Sequence, residues 1–576
     1  MDDLTKEMMD NEPMARRVLV LAWDGATLDL ARPWIEQGKL PNLKRMAEMG
    51  THGELASTEP PISAPAWASF MTGSNPGQHG IYHFQEHVEG TYRARLLNGG
   101  DITVPTLWRI LSDAGRRVAA INVAMTFPPE TVNGILIAGV DAPGAGSVYT
   151  SPPGLAQELA QSIGEYIIEP GVIEHVRRDR HDLALRSILH ALEQRIKVVD
   201  YLLAREHWDL FVVNYRASDN VQHHFWHFMD ATHPLHDARR AASLGDAILR
   251  VYQRLDEHVG QTLDRMGSDT TLVVMSDHGF GPASPKALYL NRWLAREGYL
   301  RFAGRGEEGT GWHMRLRRVL WNLIWGPLRR YTSKRTKDGL RRLFPALYDR
   351  ARTPASYFSI DWAHTRAYSD EYRPVIWINL QGREPQGTIQ PGAAYEALRD
   401  ELIERLLALR DPSDGQPVVW QAQRREEVYH GAQLHKAPDI VLALRQAPYV
   451  RSRLSPTTRS VEPLQELTPE QLKADYLPQG LHRDNGMLFM AGAGIRPGLT
   501  MAGAQIVDLA PTILHLLGLP VPSTMDGRVL QEALTEARPV TFLEAGAPAA
   551  VRAGRGYSDI EEDLVRDKLE GLGYLG

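Results

Sequence analysis

The sequence predicts an α/β fold, a doubly wound, mostly parallel sheet sandwiched by helices. Three observations predict it. Short, wholly apolar runs recur along the chain, each bounded by turn residues, as strands buried on both faces do. Stretches of helical periodicity alternate with them, the order that βαβ units impose. Two of the runs stop abruptly on residues of ligand type, Asp24 and Asp277, and ligands in open α/β sheets collect at the carboxyl ends of strands.

The first run, 18–22, delivers Trp23-Asp24-Gly25, so Asp24 is either a metal ligand or one half of an Asp-Gly turn. Leu40-Pro41-Asn42-Leu43 then opens an amphipathic helix that runs through Met49 and closes at Gly50. Residues 58–73 then read as a loop entering a helix, with Pro65 near its first position and Gly73 as its stop. Ser63 falls at the helix N-terminus, where unpaired N–H groups and the positive end of the dipole favour an anion or the alkoxide of an attacking serine. A helix N-cap is the simpler role for it. The turn Pro76-Gly77-Gln78-His79-Gly80 makes His79 a structural hydrogen-bonding group rather than a ligand.

Alternation continues with a helix at 106–114, strands at 118–123 and 134–140, a helix at 180–205 and a strand at 209–215. That strand runs into Ser218-Asp219-Asn220-Val221-Gln222-His223, where Asp219 and His223 are one helical turn apart and can reach the same ion. His227 continues the spacing; His224 points elsewhere. The strand 271–275 ends in Ser276-Asp277-His278-Gly279, two adjacent ligand-type residues followed by a permissive glycine.

Between about 295 and 365 the composition turns basic and aromatic, with Arg315, Arg329, Lys334 and Arg341 among Trp312, Trp321 and Tyr331. This is the expected inserted helical lid. Such a segment can lie on an anionic membrane, cover a site that takes an anionic substrate, or be an ordinary solvated insertion. Alternation resumes with a strand at 375–380, a helix at 393–409 and strands at 439–444 and 487–491. His482 is expected in the loop feeding the last of these. A helix at 507–518 and a turn at 525–527 close the folded region. The expected organisation is a flexible N-terminus (1–16), a catalytic domain (17–540) and a C-terminal tail with a short helix (541–576).

At 576 residues, 43% of them hydrophobic, the chain can bury a large core. Its net charge of −6 offers no general attraction to a nucleic-acid polymer, and none is expected as a partner. There is no cysteine, so disulfides, thiolate zinc sites and cysteine nucleophiles are all excluded. Metal chemistry must come from carboxylates and the 21 histidines. No run approaches the ~20 apolar residues of a spanning helix, and 18–21 is too short for a signal segment, so a cytoplasmic protein is expected.

The candidates form a chemically complete set. Asp24, Asp277 and His278 with the Ser63 oxygen make one four-ligand site; Asp219, His223 and His482 make a second with an open position. Two ions about 3.5–4 Å apart can clamp the attacking and leaving oxygens of a displacement at phosphorus. The motifs resemble those of the alkaline phosphatase superfamily, in its type I phosphodiesterase and nucleotide pyrophosphatase branch. The resemblance runs from about residue 17 to 530. It implies Ser63 as nucleophile, zinc as the metal, and a covalent phosphoserine intermediate; these ligands would also accept manganese. The branch commonly has threonine where Ser63 stands, and Ala66 replaces an Asn that binds phosphoryl oxygens, beside Trp67. The expected activity is therefore phosphodiester or nucleotide-type hydrolysis, with a phosphomonoesterase or phosphomutase as the alternative. A non-catalytic, metal-stabilised binding protein is the alternative of another class.

Overall fold

The computed structural model describes residues 13–303, 357, 360–370, 373–445, 462–474, 477–544, 556–572 and 574–575. The chain is built on a nine-stranded sheet: β1 (Arg17–Trp23), β2 (Gly50–Ala56), β3 (Val118–Val123), β4 (Gly134–Ala138), β5 (Thr150–Ser151), β6 (Leu210–Tyr215), β7 (Thr270–Met275), β8 (Asn485–Gly492) and β9 (Leu499–Gln505). Across the sheet they lie in the order β9, β2, β8, β7, β1, β6, β3, β4, β5. The pairs β1–β6, β1–β7, β3–β6, β3–β4 and β2–β9 are parallel, whereas β8 runs antiparallel to both neighbours and β5 to β4. The sheet is mostly parallel, as expected.

Side chains of β1 alternate between two cores, which is the period-2 consequence of a strand buried on both faces. Leu19, Leu21 and Trp23 pack with the helices Pro41–Met49, His181–Arg205 and Ala247–Arg265. Val18, Val20 and Ala22 face the other layer, which includes α1 (Ser63–Thr72) and Leu509–Leu516. The parallel register makes Ala22 level with Asn214 on one side and Met275 on the other. Chain leaving these three central strands therefore emerges along a single edge, carrying Asp24, Arg216 and Asp277.

The strands expected at 375–380 and 439–444 form, but not as an extension of this sheet. They belong to a separate four-stranded antiparallel sheet ordered Ala367–Tyr368, Val375–Ile378, Ile440–Leu444, Val419–Arg424. The link 369–374 is far too short for the crossover a parallel pair requires, so the two strands it joins pair antiparallel. With the helices Leu290–Arg296 and Ala393–Leu407, this sheet encloses its own core of Trp293, Tyr299, Trp377 and Leu402. The basic and aromatic residues of the expected lid, Arg315 to Arg342, lie outside the described residues, as does the N-terminal segment up to residue 12.

Two further helices bear on the site. The first, α2 (Ala217–Met229), follows β6 after a single residue. The second, α3 (Asp559–Gly571), lies near the C-terminus and is opened by a capping box in which Ser558 and Glu561 satisfy each other's backbone amides. Val565 and Leu569 of α3, with Leu572 and Leu575 beyond it, join the same core as α1. No helix among the described residues is long and apolar enough to cross a membrane.

Candidate active site

Ser63 is the first residue of α1, and the cap position belongs to Ile62. Its hydroxyl caps nothing. Instead Oγ lies 3.1 Å from His278 Nε2 and 3.1 Å from Tyr574 Oη. All ten residues of α1 are buried and its end is turned by Gly73 at φ 63°, so the serine sits on a rigid base. Ala66 and Trp67, the neighbours expected to govern what Ser63 meets, are both wholly buried, Trp67 edge-on to Phe70 at 5.6 Å.

The remaining expected ligands gather in two clusters around this serine. In one, His278 Nε2 is 3.3 Å from Asp277 Oδ2 and 3.8 Å from Asp24 Oδ1. In the other, His223 Nε2 is 3.2 Å from Asp219 Oδ1 and 3.1 Å from His482 Nε2, with His482 Nε2 3.4 Å from the same carboxylate oxygen. His278 stands between them, since its ligand atom also lies within 4.8 Å of those of Asp219 and His482. His482 differs from expectation in one respect. It lies not in a loop but in a short strand, Gly480–Arg483, paired antiparallel with Gly279–Pro282, which stacks its ring on His278 at 3.6 Å.

Most of these side chains are oriented through the far atom. Asp24 Oδ2 accepts from Asn214 Nδ2 at 2.7 Å, and Asp277 Oδ1 from the Gly25 amide at 3.1 Å. Gly25 has φ +65°, and a Cβ there would come within 2.9 Å of the Phe280 ring, so only glycine fits. Nδ1 of His223, His278 and His482 donates to the carbonyl oxygens of Gly480, Gly279 and Pro61 at 2.9, 3.1 and 3.0 Å. A donating Nδ1 leaves Nε2 as a lone pair, and all three lone pairs face the cluster. Helix α2 works through two faces: Asp219 and His223 point to the centre, while Ser218 and Gln222 bond the carbonyls of Asp24 and Gly25 at 2.7 and 2.9 Å.

Charge is unbalanced here. Burial, then the charge of Asp219, pushes Asp24 up to about 7. Burial and Asp24 push Asp277 well above the carboxylate range. Burial would raise Asp219 too, but positive charge at His223 and His482 would outweigh it and hold its carboxyl well below the usual range, and a cation on their lone pairs would act in the same sense. Asp24 Oδ1, Asp219 Oδ1 and Asp277 Oδ2 are buried and accept no hydrogen bond. An unpaired buried carboxylate oxygen is costly, and a divalent cation is the partner that three such oxygens and three imidazole lone pairs fit.

The other histidines stay out of this arrangement. His79 accepts from the Ile81 amide at 3.1 Å and its Nε2 meets Ser69 Oγ at 3.0 Å, a structural role. His227 packs against Phe228 at 3.8 Å and His181 at 5.7 Å. Burial pushes His224 down to about 3. Sequence reasoning passed over Asn214, Ser218, Gln222 and Tyr574. Asn214 carried a usable signal, a lone amide inside an apolar strand run, since polar groups buried in strands need a reason. Tyr574 carried none.

The centre opens into a cleft of about 350 Å³, walled by Pro60, Pro61, Ile62, Pro374, Leu442 and Leu481, with Arg483 and Arg445 on its lining. Arg445 is engaged by Asp411 and Asp414. Arg483 donates to the Pro282 carbonyl at 2.8 Å.

Among solved structures compared, phosphonoacetate hydrolase shares this architecture. Phosphonoacetate hydrolase from Sinorhizobium meliloti, in complex with phosphonoformate, aligns over 88% of this chain and 96% of its own at 16% identity and a TM-score of 0.52. Murine ectonucleotide pyrophosphatase/phosphodiesterase 5 aligns over 90% and 100% at 13% identity, with a TM-score of 0.47. A mutant of the alkaline phosphatase PafA aligns over 91% and 99% at 12% identity, with a TM-score of 0.49. The chain matches no curated protein in sequence. Residues 18–466 match the family model of type I phosphodiesterase/nucleotide pyrophosphatase, and the chain belongs to that family.

Proposed function

We propose that this phosphoester hydrolase cleaves phosphodiesters or nucleotide-type anhydrides, using Ser63 as nucleophile and two divalent metal ions. The observation that carries the reading is the convergence of three unpartnered carboxylate oxygens and three imidazole lone pairs on one buried serine hydroxyl. Asp24, Asp277 and His278, with Ser63 Oγ, would hold one ion; Asp219, His223 and His482 the other. Zinc is the metal of choice for such an N/O set, and manganese is compatible with it. Bound there, the ions supply positive charge that favours the serine alkoxide and the departing oxygen.

The chain's own residues do the rest. Asn214 and the Gly25 amide fix the two carboxylates, the three carbonyls fix the imidazoles, and α1 aims Ser63 into the cleft. Attack forms an Oγ–P bond as the bond to the leaving oxygen breaks, and water then releases the phosphoryl group from serine. Preference for a diester is supported by the cleft wall. Prolines, isoleucine and leucines suit an esterified substituent better than the additional charged oxygen of a monoester.

Metal-depleted enzyme reconstituted with zinc or manganese, assayed on bis-p-nitrophenyl phosphate and p-nitrophenyl phosphate, tests this. The expected result is a higher kcat/KM on the diester, dependent on metal. Hydrolysis of the monoester alone would overturn the diester assignment, and metal-independent hydrolysis would overturn the centre.

A further inference from the structure

The geometry points to Tyr574 as a further catalytic residue, whose phenol donates to the Ser63 oxygen and then to the phosphoryl group in transfer. The assignment rests on the activity proposed above. The direction of the hydrogen bonds carries it. Tyr574 Oη lies 3.1 Å from Ser63 Oγ, and Ser63 Oγ lies 3.1 Å from His278 Nε2, the atom read above as a metal ligand. As the attacking alkoxide, Ser63 Oγ has no proton to give and can only accept, whereas the phenol can donate. The phenol is therefore the donor, and it points at the atom that attacks.

The position is built rather than incidental. The Tyr574 ring packs on Phe84 at 4.9 Å and its hydroxyl end is buried. Its amide donates to the Leu569 carbonyl at 2.9 Å, tying it to the end of α3. Leu572 and Leu575 on either side are buried in the α1 core. The segment is pinned again at its start, where Tyr557 Oη donates to the Asp141 carbonyl at 2.8 Å and its ring stacks on Phe127 at 5.6 Å.

The chemistry needs such a donor. Ala66, one turn into α1, offers only a methyl group. With the Ser63 proton already passed to solvent, the Oγ–P bond forms and the P–O bond to the leaving group breaks, the bonding pair departing with that group. Negative charge moves from Oγ to the non-bridging oxygens. A phenol held beside Oγ can rotate its O–H from the first to the second, keeping its proton throughout, and donors aimed at developing charge are among the strongest contributors to catalysis.

The test is Tyr574→Phe, which keeps the ring and removes the donor. On metal-loaded enzyme, kcat/KM should fall by about 10²-fold, equally for aryl diesters with good and poor leaving groups, with bound metal and Tm unchanged. Affinity for orthovanadate, measured by calorimetry, should fall at least 10-fold by the same loss of a donor (~1.4 kcal/mol per decade). Phe84→Leu, which loosens the ring but spares the hydroxyl, should lose far less. Unchanged kcat/KM and vanadate affinity in Tyr574→Phe, a loss confined to poor leaving groups, or equal losses in Tyr574→Phe and Phe84→Leu would each overturn the assignment. Vanadate binding needs no turnover, so it decides the role of Tyr574 even if the wild-type enzyme were to hydrolyse no phosphoester, the result that would defeat the proposed activity instead.

Discussion

The two halves of the centre use the same ligand types and balance charge in opposite ways. Beside Ser63, Asp24 and Asp277 share a single imidazole, and burial drives both toward the protonated form, with the charge of Asp219 adding to it at Asp24 and that of Asp24 at Asp277. In the other half one carboxylate, Asp219 of α2, faces two imidazoles, and positive charge on them or on a cation they bind would hold its carboxyl well below the usual range. The difference is one of composition: the aspartate-rich half sets two buried carboxylates against one imidazole, the histidine-rich half one carboxylate against two, so on the proposed function the first has the greater need of a cation. That difference can be broken or sharpened in four ways.

The largest effect is expected from Ser63→Ala, since both halves are read as serving one nucleophile. Turnover of bis-p-nitrophenyl phosphate should fall by roughly 10⁴-fold or more, while elemental analysis finds metal retained in both halves. Full activity in this variant would remove the nucleophile from between them.

Next come the ligands themselves. Asp277→Asn should weaken metal binding in its half by more than the ~10–100-fold typical of outer-shell changes, and by more than His482→Gln weakens the other half. Competition with a chelator of known affinity measures both, and equal losses would erase the asymmetry. A smaller effect is expected from Asn214→Ala, which releases Asp24 Oδ2; metal affinity should fall ~10–100-fold with the ligand set intact.

The smallest effect is on stability against pH. A carboxyl whose folded pKa is raised, as that of Asp24 is from 3.8 to about 7, binds more protons folded than unfolded across that window. Its contribution is therefore most favourable at low pH and is lost as pH rises through about 7. The buried neutral histidines act in the opposite sense: with His79 pushed down to about 3 by burial, stability falls as pH drops below the unfolded value near 6.5. Subtracting metal-free from metal-loaded Tm at each pH cancels the second contribution. The difference should grow between pH 5 and 8, and a pH-independent difference would contradict the charge deficit assigned to the aspartate-rich half.

Much of this was legible in sequence because parallel strands buried on both faces read as unbroken apolar runs. β1, β3, β6 and β7 announce themselves that way, and their polar ends announce the edge where Asp24, Asp219 and Asp277 meet. β2 and β9 did not, for Gly-Thr-His-Gly-Glu-Leu-Ala and Leu-Thr-Met-Ala-Gly-Ala-Gln are only partly buried toward the sheet's edge and carry no such pattern. The second sheet was visible strand by strand, but pairing partners are non-local and apolar runs alone do not reveal them. His482 was found as a residue while its strand was not, because four residues pairing with Gly279–Pro282 are too few for a periodicity. Ser63 kept two readings in sequence, and it is the placement of Ile62 at the cap that leaves its hydroxyl free for His278 and Tyr574.

The bond between Ser63 and Tyr574 joins groups 511 positions apart. A chain is made from its N-terminus, so α1 and the central strands leave the ribosome long before the tyrosine that touches them. Until residue 574 has emerged, Ser63 lacks that partner. Any product of early termination or of proteolytic trimming that removes α3 and Tyr574 lacks the contact, so loss of a segment remote in sequence reaches the serine directly.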